Sequence, residues 1–169
     1  MSLHAESLFL PIAPPAAAAT TWEPGAAAHL EAVCRALAQT MAPPGQPLSL
    51  HVAVEPLDLP AATVRSLGLL VAELVANALQ HGFPPRDGGT AARPAEVWVT
   101  GAHAPDGSYR MSVEDNGIGL PPGFDLRLRP VGRGLRMVAM LADRLRARLA
   151  IDDGTGTRFT LRLIPALID

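Results

Sequence analysis

Glu73, Asn77 and His81 stand four residues apart and put a carboxylate, a carboxamide and an imidazole on one side of a helix. Val64, Leu67, Val71, Leu74, Val75 and Ala78 recur at helical spacing through the same stretch and would pack inward. Gln80 lies beside the polar row, and Gly82, Pro84 and Pro85 end the helix. Two readings stay open here. The row is a solvated stripe on an amphipathic helix, or it is built to hold a metal ion and a phosphate chain. A carboxamide oxygen suits the second use, because it is a hard neutral ligand that leaves most sites of a Mg²⁺ to phosphate and water.

Three glycine-bearing segments follow. Asp115-Asn116-Gly117-Ile118-Gly119 sets a carboxylate at a strand end before two glycines, which allow close backbone approach. Taken alone it is equally an Asx turn. Gly132-Arg133-Gly134 opens a second amphipathic helix. Free N–H groups at a helix start bind anions, and glycine lets a phosphate come close. The bland alternative is a flexible start to a helix. Gly154-Thr155-Gly156-Thr157 precedes the last strand and reads as a tight hairpin turn. A Walker loop is excluded, because the chain has no lysine.

In this order, the polar row and the three glycine segments resemble the N-box and glycine boxes of the Bergerat-fold (GHKL) ATPases. That superfamily includes gyrase B, Hsp90, MutL and the histidine kinases. Glu73-Leu-x-x-Asn77-Ala-x-x-His81 with Phe83-Pro84 after it is most similar to sensor histidine kinases of the alphaproteobacterial (HWE/HisKA2-like) type. The resemblance implies ATP and Mg²⁺ as cofactors. It places Asp115 under the adenine amino group, Gly117 and Gly119 in the backbone beneath the base, and Thr157 at the adenine edge. It assigns the Mg²⁺ to Asn77. Glu73 would polarise the attacking group or a metal-bound water, and His81 would touch the phosphates. Gly132 and Gly134 would belong to the loop that closes over the phosphates, with Arg133 contacting one. Gln80 departs from the pattern: a basic residue is common there, so one phosphate contact is missing.

The activity implied is that of a protein histidine kinase, passing the γ-phosphate to a histidine on a partner or on a helical-hairpin domain. The His-Arg-x-x-Asn motif of such hairpins does not occur in the sequence. His29 is the one histidine on an upstream helix, and a single helix cannot form a two-helix stem. The Trp-x-Glu signature of one kinase subclass is also absent, and Trp98 sits in a strand pattern. The expected partner is a phosphoacceptor histidine domain or a response-regulator pathway protein, and a homodimer stays open. Two alternatives share the fold. One is an anti-sigma-factor-type serine kinase acting as a switch. The other is a histidine phosphotransferase with weakened nucleotide binding.

The elements that must position these residues follow from the pattern. Residues 1–25, rich in Ala and Pro, read as a flexible N-terminal segment, and 26–169 as one domain of histidine-kinase ATPase type. Ala26 to Met41 reads as a helix and Leu48 to Val54 as a strand. Pro60 precedes the central helix. Strands at 96–103 and 109–114 flank a turn at Asp106-Gly107, and residues 84–94 and 120–131 read as loops. A helix from Gly132 and strands at 149–152 and 158–163 complete the chain. The expected fold is α+β: a two-layer sandwich with a mixed, mostly antiparallel sheet covered on one face by helices. The 169 residues suit one domain; 49% are apolar and 4% aromatic, so the core is Leu, Val and Ala. All 14 basic residues are arginine and the net charge is −2. The nearest basic patch, Arg127, Arg129, Arg133 and Arg136, is too small for nucleic acid and fit for phosphates. One cysteine, Cys34, fits a small core residue in a reducing cytoplasm. No apolar run is expected to span a membrane, and the N-terminus lacks the basic region of a signal peptide.

Overall fold

The computed structural model describes residues 25–43, 45–84, 94–125, 132–152 and 154–164. The N-terminal segment up to residue 24, most of the loop at 84–94, and Arg127 and Arg129 lie outside the described residues. Among the described residues three helices and five strands follow in the expected order: α1 (Ala26–Met41), β1 (Leu48–Val54), α2 (Ala61–His81), β2 (Ala95–His103), β3 (Tyr109–Asp115), α3 (Gly132–Arg144), β4 (Arg148–Asp152) and β5 (Thr157–Leu163). The strands form one sheet in the order β1-β2-β3-β5-β4.

Period-two patterning decides which face of the sheet is covered. Val97 and Val99 on β2, Tyr109, Met111 and Val113 on β3, and Phe159, Leu161 and Leu163 on β5 are buried, and the strand residues between them are not. The three helices fill that one face. The opposite face is polar: His51 stacks on Trp98 with ring centroids 5.7 Å apart, Thr100 bonds Ser112, and Arg158 pairs with Glu114. The α+β two-layer expectation is met. β1 and β2 are parallel because α2 connects them as a crossover, and every other pairing is antiparallel. Sequence order alone would set β4 beside β3; instead β5 returns between them.

Helix α2 is the hub. Leu67, Leu70, Val71, Leu74 and Val75 are at most 1% exposed, so it packs on the sheet and between α1 and α3. This corrects one expectation: α2 is long and apolar enough to cross a membrane by length and composition, with 21 residues. Its hydrophobicity is that of a central core helix. Gly68 admits the ring of His29, because a Cβ there would lie 2.5 Å from Nε2; the imidazole sits in the α1–α2 crossing. Cys34 is buried beside this crossing, and burial pushes its thiol up to about 12, so it is an inert core residue. The β2–β3 turn is Ala104–Gly107, with Gly107 N–H donating to Ala104 O at 3.0 Å and Gly107 at φ +78°.

Truncation should separate the two sides of α2. Leu74→Ala, at 1% exposure, is expected to lower stability by about 3 kcal/mol, and Leu69→Ala, at 45% exposure, by under about 0.5 kcal/mol, as read by urea denaturation.

Candidate nucleotide-binding site

The inward residues of β3 run Tyr109, Met111, Val113, Asp115. The strand's own alternation thus turns a carboxylate toward the core at the point where the strand ends. Asp115 is 7% exposed. Its Oδ1 accepts the Gly117 N–H at 2.8 Å, and Thr157, opposite it in the register, donates from both its backbone N–H and its hydroxyl. Burial nevertheless dominates and holds the Asp115 carboxyl above the usual carboxylate range; Gly117 and Thr157 offset part of that rise.

Glycines explain how the chain packs so closely around this acid. Gly82 follows the last turn of α2 with an ordinary φ of −70°, so it is not required by a left-handed helix end. Crowding requires it: a Cβ there would lie 2.6 Å from the Ala78 carbonyl oxygen and 3.3 Å from Asp115 Oδ1. The Gly82 carbonyl accepts the Ile118 N–H at 2.9 Å, and a Cβ on Gly117 would run into that same carbonyl. On the other side, a Cβ on Gly156 would collide with the Asp115 backbone oxygen, and one on Gly119 would sit 3.4 Å from Gly156 O. The loop after Asp115 is therefore clasped between the end of α2 and the β4–β5 hairpin. Gly119 at φ +77° makes the turn.

The second group forms where α3 begins. A Cβ on Gly134 would lie 2.7 Å from Glu73 Oε2 and 3.5 Å from Asn77 Oδ1. The first turn of α3 thus rests on the polar row of α2, with its free N–H groups and positive dipole end beside a carboxylate and a carboxamide. Asn77 Nδ2 is buried and has no hydrogen-bond partner among the described residues. An unpaired buried amide is costly and marks a side chain set for something else to meet. Gly132, at φ +82°, and Arg133 are exposed at the helix start. His81 and Gln80 are exposed on the last turn of α2.

The structure brings Glu73, Asn77 and Gly134 together, and separately Asp115, Gly117, Gly119 and Thr157. Asn77 and Gly82 lie five residues apart on α2, so the groups are about 7.5 Å apart along the helix axis. Gly82 is read from the sequence as ending the helix and Gly156 as part of a glycine segment, but their part in packing Asp115 is visible only in three dimensions. Asn116 was missed altogether. Its Oδ1 accepts the Glu96 N–H at 2.9 Å and its Nδ2 donates to Pro94 O and Glu96 Oε2, which fastens the loop to the start of β2. Its place between Asp115 and Gly117 was the available signal. Among the described residues no cluster of three or more His, Cys, Asp or Glu could hold a metal. Asn77 and Glu73 still fit Mg²⁺, which is usually bound by one or two protein oxygens with phosphates and waters completing its shell.

A family model described as the histidine kinase-, DNA gyrase B-, and HSP90-like ATPase matches residues 62–167. "Blue-light-activated histidine kinase 2" of Erythrobacter litoralis (strain HTCC2594) is 34% identical over 111 residues, 65% of this chain and 30% of that protein. The chain thus spans under a third of that relative's length. The histidine kinase domain of the Erythrobacter litoralis EL346 blue-light activated kinase superposes with a TM-score of 0.72 at 28% identity. That match covers 90% of this chain and 66% of the other. The Acinetobacter baumannii histidine kinase AdeS shares the fold, with a TM-score of 0.64 at 16% identity over 83% of this chain and 65% of that one. With the motifs in their order and the fold matched, the chain belongs to the family of histidine kinase-, DNA gyrase B- and HSP90-like ATPases.

Proposed function

We propose that this chain is the ATP- and Mg²⁺-binding catalytic domain of a two-component histidine kinase of the alphaproteobacterial type. It would direct the γ-phosphate to a histidine on a partner or on a helical-hairpin domain. One observation carries the reading: the start of α3 lies on Glu73 and Asn77, and the buried acid of β3, Asp115, lies against Gly82 at the end of that same helix α2. That spacing offers an anion-binding end and a base-reading end to one ligand. The relatives in hand are histidine kinases, which favours this reading over a serine-kinase switch or a phosphotransferase.

Each residue has a role its position suits. Asp115 accepts the adenine amino hydrogen bond, and Thr157, already bonded to it, lies at the same edge. Gly117 and Gly119 keep side chains away from the base. Gly132, Gly134 and the backbone N–H groups around them face the phosphates, and Arg133 adds a charge from the exposed side. Asn77 would give its carboxamide oxygen to Mg²⁺, and its buried Nδ2, a donor, would be met by a phosphate or water oxygen. Bound Mg²⁺ would neutralise phosphate charge during transfer. Glu73, held between α2 and the start of α3, orients and polarises the attacking group, and His81 reaches the phosphates from the last turn of α2. Phosphoryl transfer of this kind depends on positioning more than on covalent chemistry by the protein.

Mg-ATP is expected to raise the melting temperature, and Asn77→Ala and Asp115→Asn each to abolish that rise; a wild-type chain that ignores Mg-ATP would refute the reading. Incubated with a phosphoacceptor domain and labelled ATP, the chain should yield acid-labile phosphohistidine on the acceptor, whereas acid-stable phosphoserine would point to the switch. Asp115→Asn carries a second expectation. Because burial raises the Asp115 carboxyl, its ionised form weakens the folded state at neutral pH. The folded state holds the proton more tightly than the unfolded chain, so this penalty fades as pH falls through the folded-state pKa. Without nucleotide, Asp115→Asn should therefore melt higher than wild type at neutral pH, and the gap should close in acid.

A further inference from the structure

β4 is an edge strand, paired on one side with β5 and last in the sheet order. Its sequence, Arg148-Leu149-Ala150-Ile151-Asp152, has opposite charges at its ends, branched apolar residues inside them and a small residue at its centre. Arg148, Ala150 and Asp152 lie on the open, exposed face, while Leu149 and Ile151 lie half-buried on the helix side. Such a strand is complementary to itself. Laid antiparallel against a second copy, with the two-fold axis through Ala150, Arg148 faces the partner's Asp152. Leu149 then faces the partner's Ile151, and alanine meets alanine.

The charges on the chain itself leave the Arg148 end of β4 unsatisfied, whereas Asp152 stands opposite Arg158 in the register, which is itself paired with Glu114. Neither Arg148 nor Asp152 has an ion-pair partner among the described residues. Arg148 lies directly opposite Arg162, which in turn lies opposite Arg110, so three like charges stand abreast across β4, β5 and β3. Like charges in cross-strand positions destabilise a sheet. Arg162 is offset by Asp106 at 2.6 Å, and Arg148, at the open end of the row, is not. The partner's Asp152 is the acid that end lacks. β4 has no proline and no charge on its helix-side face; its five-residue length and terminal charges guard it against unselective pairing but admit a partner edge of matching charge. Beside it an open groove of about 830 Å³ runs along α3, lined by Ala139, Ala142, Leu149 and Ile151 among others, so the apolar side of the strand is accessible.

We propose that β4 is a homodimerisation edge, joining two copies of this chain into one continuous sheet through paired Arg148–Asp152 contacts. The inference is independent of nucleotide binding. Sedimentation equilibrium of the full chain tests it, with Arg148→Asp, Asp152→Arg and an equimolar mixture of the two variants. The wild type should approach twice the chain mass within roughly micromolar to millimolar concentrations, and each single reversal should raise the dimer Kd roughly tenfold or more. In the mixture each variant supplies the charge the other lacks, so a heterodimer of near wild-type affinity should form; this also shows that both variants fold. A wild type that stays monomeric across the range, single reversals that dimerise as well as wild type, or a mixture no better than its components would overturn the proposal.

Discussion

The site is organised by one unfavourable placement: an ionisable carboxyl at the end of the core-facing side of a central strand. Asp115 follows Tyr109, Met111 and Val113 on the inward face, so the alternation that builds the core also draws an acid into it. A carboxylate buried there loses water, and only partial compensation comes from Gly117 and Thr157. A fold organised for stability alone would end that strand face with another apolar residue. The cost is instead held by the surrounding frame, as expected where a group must recognise a ligand.

The glycines around Asp115 follow from the same constraint. Both the end of α2 and the β4–β5 hairpin approach the loop after Asp115 by backbone, and a Cβ at Gly82, Gly117 or Gly156 would meet a carbonyl or the acid itself. Gly134 does the equivalent over Glu73 and Asn77. Helix α2 is the shared wall: one flank is core, and its last three turns present Glu73, Asn77 and Gly82 to two neighbouring elements. Its length and hydrophobicity make it resemble a membrane span in composition, yet its polar row and its covered sides mark it as the spine of a two-layer domain.

The uncovered side of the sheet is used differently. There the side chains are stacked, hydrogen-bonded or ion-paired across strands, with Glu114–Arg158 and Asp106–Arg162 as the paired charges. Such exposed pairs contribute little each, but they fix which charges stay unpaired. Among the described residues of this face Arg110, Arg148 and Asp152 have no ion pair, and Asp152 lines a pocket beside Asp115 and Thr157.

The sequence by itself determined the element types and placed the strand ends to within a residue, because period-two and helical spacing are local properties of the chain. It also determined that Glu73, Asn77 and His81 share a helix side, and that glycine segments follow in a given order. It could not determine that β5 slips between β3 and β4, since pairing order depends on which edges the folded layers leave open. Nor could it tell that Gly82 lies against Asp115, that His29 nests on Gly68, or that Asn116 ties the loop to β2. Each of those depends on residues distant in the chain meeting at contact distance, and only the tertiary packing of α2 against the sheet and α3 brings them there.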